Sequence, residues 1–310
     1  MKIFILFIIT FVSGFLENVV SNANSLPYEV IFNFGDSISD SGNVATHYPI
    51  LLRNSPYGST YFKHPSGRIS NGRLIIDFIG IWVAILPAYL SITEGQDIKK
   101  GKLVPSLCKS KEGFTKSPLI TFLSNCDSFF KNSLFLVGEI DGNDINAIIP
   151  YKNITKLREM KLIEAGVVEL VIPGNFPICC IFKNDYDQFG CLTIYNTFIE
   201  YYNEQLKKVI YTLRESNAHI KITYFDYYGA AKRLFQAPQQ YGFSSSQIET
   251  LRACCGKGEP YNFNSYKCCE SIASTDGPHF TKAAYRQIAK GLVEGLFANP
   301  SLKSPPFKIA

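Results

Sequence analysis

Four short runs of β-branched and aromatic residues, each followed by glycine, proline or aspartate, constrain the fold of this chain more than any other feature. Such runs are typical of buried β-strands, and the residue after each one predicts a loop at the carboxyl end of the strand. Helical patterns lie between them, and strands that alternate with helices predict a parallel sheet covered by helices on both faces. The predicted strands are Glu29–Phe34, Leu134–Val137, Val167–Ile172 and Ile220–Phe225.

Two helical patterns are clear enough to assign an apolar face. Near the C-terminus, Thr281 can cap a helix whose apolar face carries Ala284, Ile288, Leu292 and Leu296. The other helix has charges on one face, and its apolar face comprises Phe198, Tyr202, Leu206, Val209, Ile210 and Leu213.

In parallel sheets covered by helices, ligands bind beyond the carboxyl ends of the strands, so we expect the chemistry in the loops there.

The composition supports a large buried core and excludes several classes of protein. Of the 310 residues, 46% are hydrophobic and 18% are charged, which excludes a disordered chain, a collagen and a coiled coil. The formal net charge of +5 is spread too thinly over this length for a nucleic-acid partner to be expected.

The first residues have the pattern of a secretory signal peptide. Lys2 is followed by an apolar run that ends at Glu17, and Ser21-Asn22-Ala23 offers the small residues of a cleavage site. A membrane anchor is the alternative, but it needs about 20 uninterrupted apolar residues, so we expect no transmembrane anchor. The sequence predicts a signal peptide over residues 1–23, a single domain over residues 24–310, and secretion, with the vacuole as the alternative destination.

The nine cysteines agree with export. In an oxidising compartment they are expected to form disulfides, with at least one left over because their number is odd. Metal ligation is the alternative, but the spacings match no zinc module and no histidine lies near them, so we expect no metal. Asn153 begins the only N-glycosylation sequon, which is consistent with secretion. The cysteines are Cys108, Cys126, Cys179, Cys180, Cys191, Cys254, Cys255, Cys268 and Cys269.

A serine directly after the first predicted strand is the leading candidate for a nucleophile. Ser37 lies in the segment Gly35–Asn43, where its hydroxyl would project into the crevice near a helix N-terminus. A serine nucleophile needs a base within hydrogen-bond reach, and the base needs an orienting carboxylate. His279 and Asp276 supply both on one short loop just before the last predicted helix.

Two further segments suit an oxyanion hole, which needs hydrogen-bond donors aimed at the charge that develops on a carbonyl oxygen. Asn143 follows the second predicted strand, so its side-chain amide could reach the crevice, and Ser70-Asn71-Gly72-Arg73 offers the backbone amide of Gly72. Each of these motifs alone is more often a simple turn. Their occurrence together, in this order and at strand ends, is much more specific.

Together these motifs resemble those of the plant GDSL esterase/lipases, which belong to the SGNH hydrolase superfamily. The resemblance runs from about Phe32 to the C-terminus and implies an α/β fold with three layers, α/β/α, around a mostly parallel, flavodoxin-like sheet. The motifs that carry it are Phe34-Gly35-Asp36-Ser37, Tyr57-Gly58, Gly67–Arg73, Gly142-Asn143-Asp144 and Asp276–Thr281.

The resemblance also implies the role of each site residue. Ser37 is expected to be the nucleophile, His279 the base and Asp276 the group that orients the base. The backbone amides of Ser37 and Gly72 and the side chain of Asn143 are expected to form the oxyanion hole. The reaction implied is acyl transfer through an acyl-enzyme, which needs neither a metal nor an organic cofactor.

The function implied is that of a secreted serine ester hydrolase whose partner is a small-molecule ester with a small or aromatic acyl group. Two alternatives are a secreted binding protein of the same fold that has lost catalysis, and a chain that does not fold stably. Three stretches resemble the branch of the family that contains acetylajmalan and sinapine esterases, namely Val171–Pro177, Phe225–Tyr228 and Ala253–Gly256.

The chain is shorter than the family it resembles in three places. Residues 103–118 do not replace a strand that the family has there, so one edge strand of the sheet is expected to be missing. The crossover after Asn143 is reduced to one short helical candidate, Ile154–Glu164, and the segment before Asp276 is shortened. Three residues stand where relatives usually have glycine: Asp141, Cys179 and Cys268.

Overall fold

The structure is a computed structural model, and it describes residues 28, 30–48, 56–79, 88, 91, 130–138, 162–164, 166–178, 186–245, 249–250, 252 and 279–303. Strands and helices alternate along this part of the chain. In order, they are β1 (Val30–Phe34), α1 (Asn43–His47), α2 (Ile75–Ile79), β2 (Ser133–Val137), β3 (Glu169–Pro173), α3 (Thr193–Ser216), β4 (Lys221–Phe225), α4 (Tyr227–Gln236), a 3-10 helix (Pro238–Tyr241), α5 (Lys282–Val293) and β5 (Ala298–Asn299).

The strands form one sheet in the order β1-β2-β3-β4-β5. The first four strands are parallel, and the two-residue β5 is antiparallel to β4. Strand ends are level, since Phe34 pairs with Val137 and Pro173 with Phe225. The loops after β1 to β4 therefore leave from one side of the sheet, which we call the carboxyl edge. The four predicted strands are confirmed, each to within two residues.

Helices cover both faces of this sheet, which confirms the predicted three-layer architecture. The side chains of β2 alternate between two apolar cores, with Leu134 and Leu136 in one and Phe135 and Val137 in the other. Helices α2, α4 and α5 complete the first core, and α3 completes the second. A strand that is buried on both faces is apolar at most positions, which is why these runs were recognisable in the sequence, although Glu169, Lys221 and Thr223 are also buried in them.

Strand β1 forms one edge of the sheet within the described residues. This arrangement agrees with the expectation that a strand is missing beside it. Residues 103–118, where the family has that strand, lie outside the described part of the chain, so the missing strand stays a prediction.

Helix α3 buries most of the predicted apolar face, but not at its first position, and it also buries two asparagines. The expectation was wrong at Phe198, which is 51% exposed, whereas Asn196 and Asn203 are buried. The side chain of Asn203 accepts from the amide of Asn175 at 2.8 Å and donates to its carbonyl at 3.1 Å. Asn196 makes the same pair of bonds to the backbone of Ile178, both at 2.9 Å. Buried asparagines thus satisfy the backbone of the loop after β3, a role that apolar periodicity does not reveal.

Helix α5 begins where the sequence predicts but ends earlier. Its cap is confirmed, because the Thr281 hydroxyl accepts from the amide of Ala284 at 3.4 Å. The helix ends at Val293, and Gly295 adopts a φ of 90°, the positive region in which glycine commonly terminates a helix. Leu296 lies beyond this turn and is 71% exposed, so its predicted place on the buried face was wrong.

Several predicted features lie outside the described residues and stay predictions. They are the signal peptide over residues 1–23, the sequon at Asn153, Asn143, Asp276 and most of the helical candidate Ile154–Glu164. The extent of the single domain over residues 24–310 is likewise a prediction.

Cys191 is the only cysteine in the described part of the chain, and it is disulfide-bonded. The pairing of the other eight lies outside that part. No helix among the described residues combines the length and the apolar character that a membrane crossing requires.

A buried ion pair joins the loop after β1 to α2. The Arg68 guanidinium donates to both carboxylate oxygens of Asp77, at 2.7 and 2.8 Å, and its third nitrogen donates to the carbonyl of Ser41 at 3.1 Å. Asp77 also accepts from the amide of Leu74 at 2.9 Å. Because Arg68 is 4% and Asp77 3% exposed, this pair is shielded from water and fixes three segments against one another.

We expect Asp77→Asn to lower the free energy of unfolding by about 3–5 kcal/mol, because it leaves the Arg68 charge buried without its counter-charge. Urea unfolding measures the effect. The matched control is Glu294→Gln, which removes an exposed pair with Lys290 at 3.8 Å and should cost less than about 1 kcal/mol. Equal losses in the two variants would contradict the role assigned to the buried pair.

Candidate active site

Ser37 lies in a tight turn directly after β1, at the carboxyl edge. The carbonyl of Asp36 accepts from the amide of Ser39 at 3.1 Å, and its side chain accepts from the amide of Ile38 at 3.0 Å. Gly35 precedes the turn, and a Cβ there would lie 2.6 Å from both the Gly138 carbonyl oxygen and the Ser39 hydroxyl. Only glycine therefore fits between β1 and the loop after β2, and this close approach sets where the Ser37 turn begins.

The prediction that Ser37 lies beside a helix N-terminus was wrong. Helix α1 begins at Asn43, six residues later, and has only five residues. The Asp40 carboxylate accepts hydrogen bonds from the backbone amides of Gly42, Asn43 and Val44, at 2.7 to 3.0 Å, at the start of this helix. A carboxylate already occupies this helix end, so the helix dipole does not serve the Ser37 hydroxyl.

The structure brings the Ser37 hydroxyl and the His279 imidazole together. Ser37 Oγ lies 2.7 Å from His279 Nε2, although the two residues are 242 positions apart. This distance is within the range of a hydrogen bond between a hydroxyl and a ring nitrogen. Both residues are partly buried, so the pair is sheltered yet reachable from the crevice.

The loop Ser70-Asn71-Gly72 holds the backbone that carries His279. The Ser70 hydroxyl, which is fully buried, donates to the carbonyl of Phe280 at 3.1 Å. Asn71 Oδ1 accepts from the amide of Lys282 at 2.8 Å. Two side chains from one loop thus bind the backbone one and three residues after His279, which limits how far the imidazole can move.

Aromatic rings hold the same segment from the opposite side. The Phe280 ring lies 5.3 Å from that of Phe176, 6.0 Å from Phe235 and 5.7 Å from Tyr285, between ring centroids. Phe176 in turn stacks on Tyr227 at 4.5 Å. The residue beside His279 is therefore packed among rings from the loop after β3, α4 and α5, which adds packing to the hydrogen bonds.

Gly72 ends this loop and packs closely against its neighbours; its place in the oxyanion hole stays a prediction. A Cβ there would lie 2.6 Å from the Thr60 hydroxyl and 2.9 Å from Cδ of Lys282. Its amide donates to the Ser70 hydroxyl at 3.4 Å, which is long for such a bond. Asn143 and Asp276, the other predicted members of the site, lie outside the described residues.

Within the described part of the chain, no group of three or more histidine, cysteine, aspartate or glutamate side chains could hold a metal ion. The groups that the structure brings together are a hydroxyl and an imidazole. Such groups can perform acyl transfer, in which a serine attacks a carbonyl and an imidazole carries the proton.

A parallel α/β sheet with a serine–imidazole pair at its carboxyl edge is an arrangement suited to hydrolases that use serine. The sequence profile of the family described as GDSL-like Lipase/Acylhydrolase matches residues 31–292. Three similar proteins of Arabidopsis thaliana are each named GDSL esterase/lipase. They are 34% identical over 97%, 93% and 92% of this chain, and the alignments cover 100%, 87% and 89% of the relatives.

The chain therefore belongs to the GDSL lipase/acylhydrolase family and is a carboxylic ester hydrolase by class. The first of these alignments extends over 388 positions, which exceeds the 310 residues of the chain. Such an alignment requires internal gaps in this chain, as expected from its shortened segments. The acetylajmalan and sinapine esterase branch stays a prediction.

Sequence reasoning missed the residues that position the site. It singled out the Ser70–Arg73 segment for the Gly72 amide alone, whereas the structure uses Ser70 and Asn71 to hold the backbone after His279. It also missed Asp40 as a helix cap and Arg68 as a tie to Ser41. These residues would have stood out only if their burial had been known, and burial depends on the tertiary packing, which the sequence does not display.

We expect Ser70→Ala to reduce kcat for p-nitrophenyl acetate by about 10- to 100-fold with little change in KM, because a small displacement of His279 costs rate rather than binding. The free energy of unfolding should fall by about 1–3 kcal/mol, since the buried Phe280 carbonyl loses its donor and the Gly72 amide loses a weak bond. Steady-state kinetics and urea unfolding measure the two effects.

Ser59→Ala is the matched control for this prediction. Its hydroxyl donates to the carbonyl of Pro56 at 2.8 Å within the same region, without contact to the segment after His279. If Ser70→Ala and Ser59→Ala reduce kcat equally, the positioning role of Ser70 is wrong.

Proposed function

We propose that this protein is a secreted serine esterase that hydrolyses small-molecule esters with small or aromatic acyl groups through an acyl-enzyme. The observation that carries the proposal is the 2.7 Å contact between Ser37 Oγ and His279 Nε2. Membership of an ester-hydrolysing family supports the reaction type. The contact also favours a catalytic protein over a binding protein that has lost its geometry.

In the first step, the Ser37 hydroxyl attacks the ester carbonyl while His279 Nε2 accepts its proton. Asp276 orients the imidazole and stabilises its positive charge. The carbonyl oxygen becomes an oxyanion, which accepts hydrogen bonds from the amides of Ser37 and Gly72 and from the Asn143 side chain. His279 then gives the proton to the departing alcohol.

In the second step, His279 accepts a proton from water, and the resulting hydroxide attacks the acyl-enzyme. The carboxylic acid leaves, and the proton returns to Ser37. The long bond from the Gly72 amide to Ser70, at 3.4 Å, is weak enough for an oxyanion to replace it. We therefore propose that the Gly72 amide exchanges this bond for one to the oxyanion as the charge develops.

Secretion is supported by the signal-peptide pattern of residues 1–23, by the nine cysteines, and by the disulfide at Cys191. An aromatic acyl group is proposed from the aromatic-rich composition, which includes 24 phenylalanines and 18 tyrosines. Asn153 is proposed to carry the N-linked glycan of the exported protein.

Ser37→Ala and His279→Ala should each reduce kcat for p-nitrophenyl acetate by at least about 10³-fold, because each removes a group that forms or breaks a bond. The exposed His219→Ala is the control for the histidine substitution and should retain wild-type turnover. An organophosphonate probe should label the wild type and not Ser37→Ala. Equal turnover by wild type and Ser37→Ala would show that the nucleophile is misassigned.

Asn143→Ala should reduce kcat by about 10²- to 10³-fold, because one donor to the oxyanion is lost. The KM should change little, since the oxyanion exists only in the transition state. A kcat within a factor of two of the wild type would remove Asn143 from the oxyanion hole. Organophosphonate labelling of the variant provides a separate check that Ser37 is still reactive.

A further inference from the structure

Four basic side chains gather beside Gly72 and the start of α5. Lys282 is the first residue of that helix, Arg286 lies one turn later, and Arg73 follows Gly72 directly. Lys63 belongs to the preceding loop and adds a fourth positive charge. We call these residues, Lys63, Arg73, Lys282 and Arg286, the basic cluster.

Lys282 connects the cluster to the segment that carries His279. Lys282 packs its stem against Gly72, since a Cβ on Gly72 would lie 2.9 Å from Lys282 Cδ. It is three residues after His279, so their Cα atoms are at most about 11 Å apart. A lysine side chain at that distance can reach a group attached to an ester held between Ser37 and Gly72.

Tyr61 and Phe78 support the cationic groups of the cluster. Arg73 Cζ lies over the Tyr61 ring at 4.5 Å and over the Phe78 ring at 4.3 Å from the centroids. Lys282 Nζ lies over the same Tyr61 ring at 5.5 Å. Ring faces attract cations but provide only part of the energy of a counter-charge, so two cations that share one ring are incompletely compensated.

No acidic side chain compensates the cluster within the described part of the chain. The four residues form no salt bridge there, and the first turn of α5 contains no acidic residue. The Nε atom of Arg73 is buried and has no hydrogen-bond partner. Burial, and then the charges of Arg73, Arg286 and Lys63, hold the pKa of Lys282 below its ordinary value.

Repulsion among the four positive charges destabilises the folded protein unless a bound anion neutralises them. Like charges repel, and a lysine at a helix N-terminus faces the positive end of the helix dipole. An anion at the same place gains from the dipole, from the lysine and from the fork of donors that arginine presents to carboxylates and phosphates.

We propose that the basic cluster binds a carboxylate or phosphate group of the substrate, so that the preferred substrates of this site are anionic esters. The inference rests on the proposed function, because it assumes that the ester is held at Ser37. It adds a substrate class to that function. The anionic group is recognised by Lys282 and Arg286 from α5 and by Arg73 from the loop that carries Gly72.

The test compares anionic esters with neutral esters of the same shape. Mono-p-nitrophenyl glutarate is compared with p-nitrophenyl valerate, which places the charge on the acyl side. For the alcohol side, 4-acetoxybenzoate is compared with its methyl ester, and 4-acetoxyphenyl phosphate replaces the carboxylate by a phosphate. After subtraction of the uncatalysed rate, kcat/KM for at least one anionic ester should exceed that of its neutral partner about tenfold at low salt.

The double variant Lys282→Gln and Arg286→Gln should reduce this ratio to about one, and about 0.5 M NaCl should reduce it in the wild type by screening the charges. Lys290→Gln removes one positive charge from an exposed position near the C-terminal end of the same helix and should leave the ratio unchanged. The proposal is wrong if the wild type prefers no anionic ester, or if the double variant and Lys290→Gln have equal ratios.

Binding to Ser37→Ala separates this inference from the proposed function. Calorimetric titration with 4-acetoxybenzoate should show an affinity about tenfold higher than in Ser37→Ala that also carries the Lys282 and Arg286 substitutions. Equal affinities would overturn the anionic subsite. If the wild type hydrolyses no ester, the proposed function fails, and the titration alone decides whether the cluster binds anions.

Discussion

The buried ion pair between Arg68 and Asp77 is the interaction on which the arrangement of the site most depends. It binds the loop after β1 through the carbonyl of Ser41, and it binds the first residues of α2 through the carboxylate. Two residues after Arg68, Ser70 holds the backbone beside His279. One shielded ion pair therefore links the segment that carries the Ser37 hydroxyl to the loop that holds the His279 imidazole. These contacts limit how far Ser37 and His279 can move relative to each other.

The sheet provides the frame for this linkage. Parallel strands with level ends deliver the loops after β1, β2 and β3 to one edge, where Gly35 meets Gly138 and Phe176 meets Phe280. Helix α5 returns from the end of the chain to the same edge and packs on α2. The basic cluster is a consequence of that return, because it combines the first two turns of α5 with residues of the segment 56–74 that precedes α2.

Much of the fold followed from local patterns. The strands were recognisable because burial on both faces makes most positions apolar, and the start of α5 was recognisable because Thr281 is a favoured cap residue. The apolar face of α3 was predicted less well, since Asn196 and Asn203 occupy buried positions that spacing rules assign to apolar residues. The end of α5 was missed because a glycine with positive φ stops the helix before Leu296.

By itself, the sequence determined the layered α/β class, the candidate serine and histidine, and the family that their motifs resemble. These features depend on neighbouring residues, so short stretches of chain contain the information. The tertiary structure alone decided that Ser37 and His279 touch, that Ser70 and Asn71 hold the segment after His279, and that four cations gather with no acidic partner among the described residues. Those contacts join residues far apart in the chain, and no local periodicity specifies which distant side chains the packed sheet and helices bring within a few ångströms of each other.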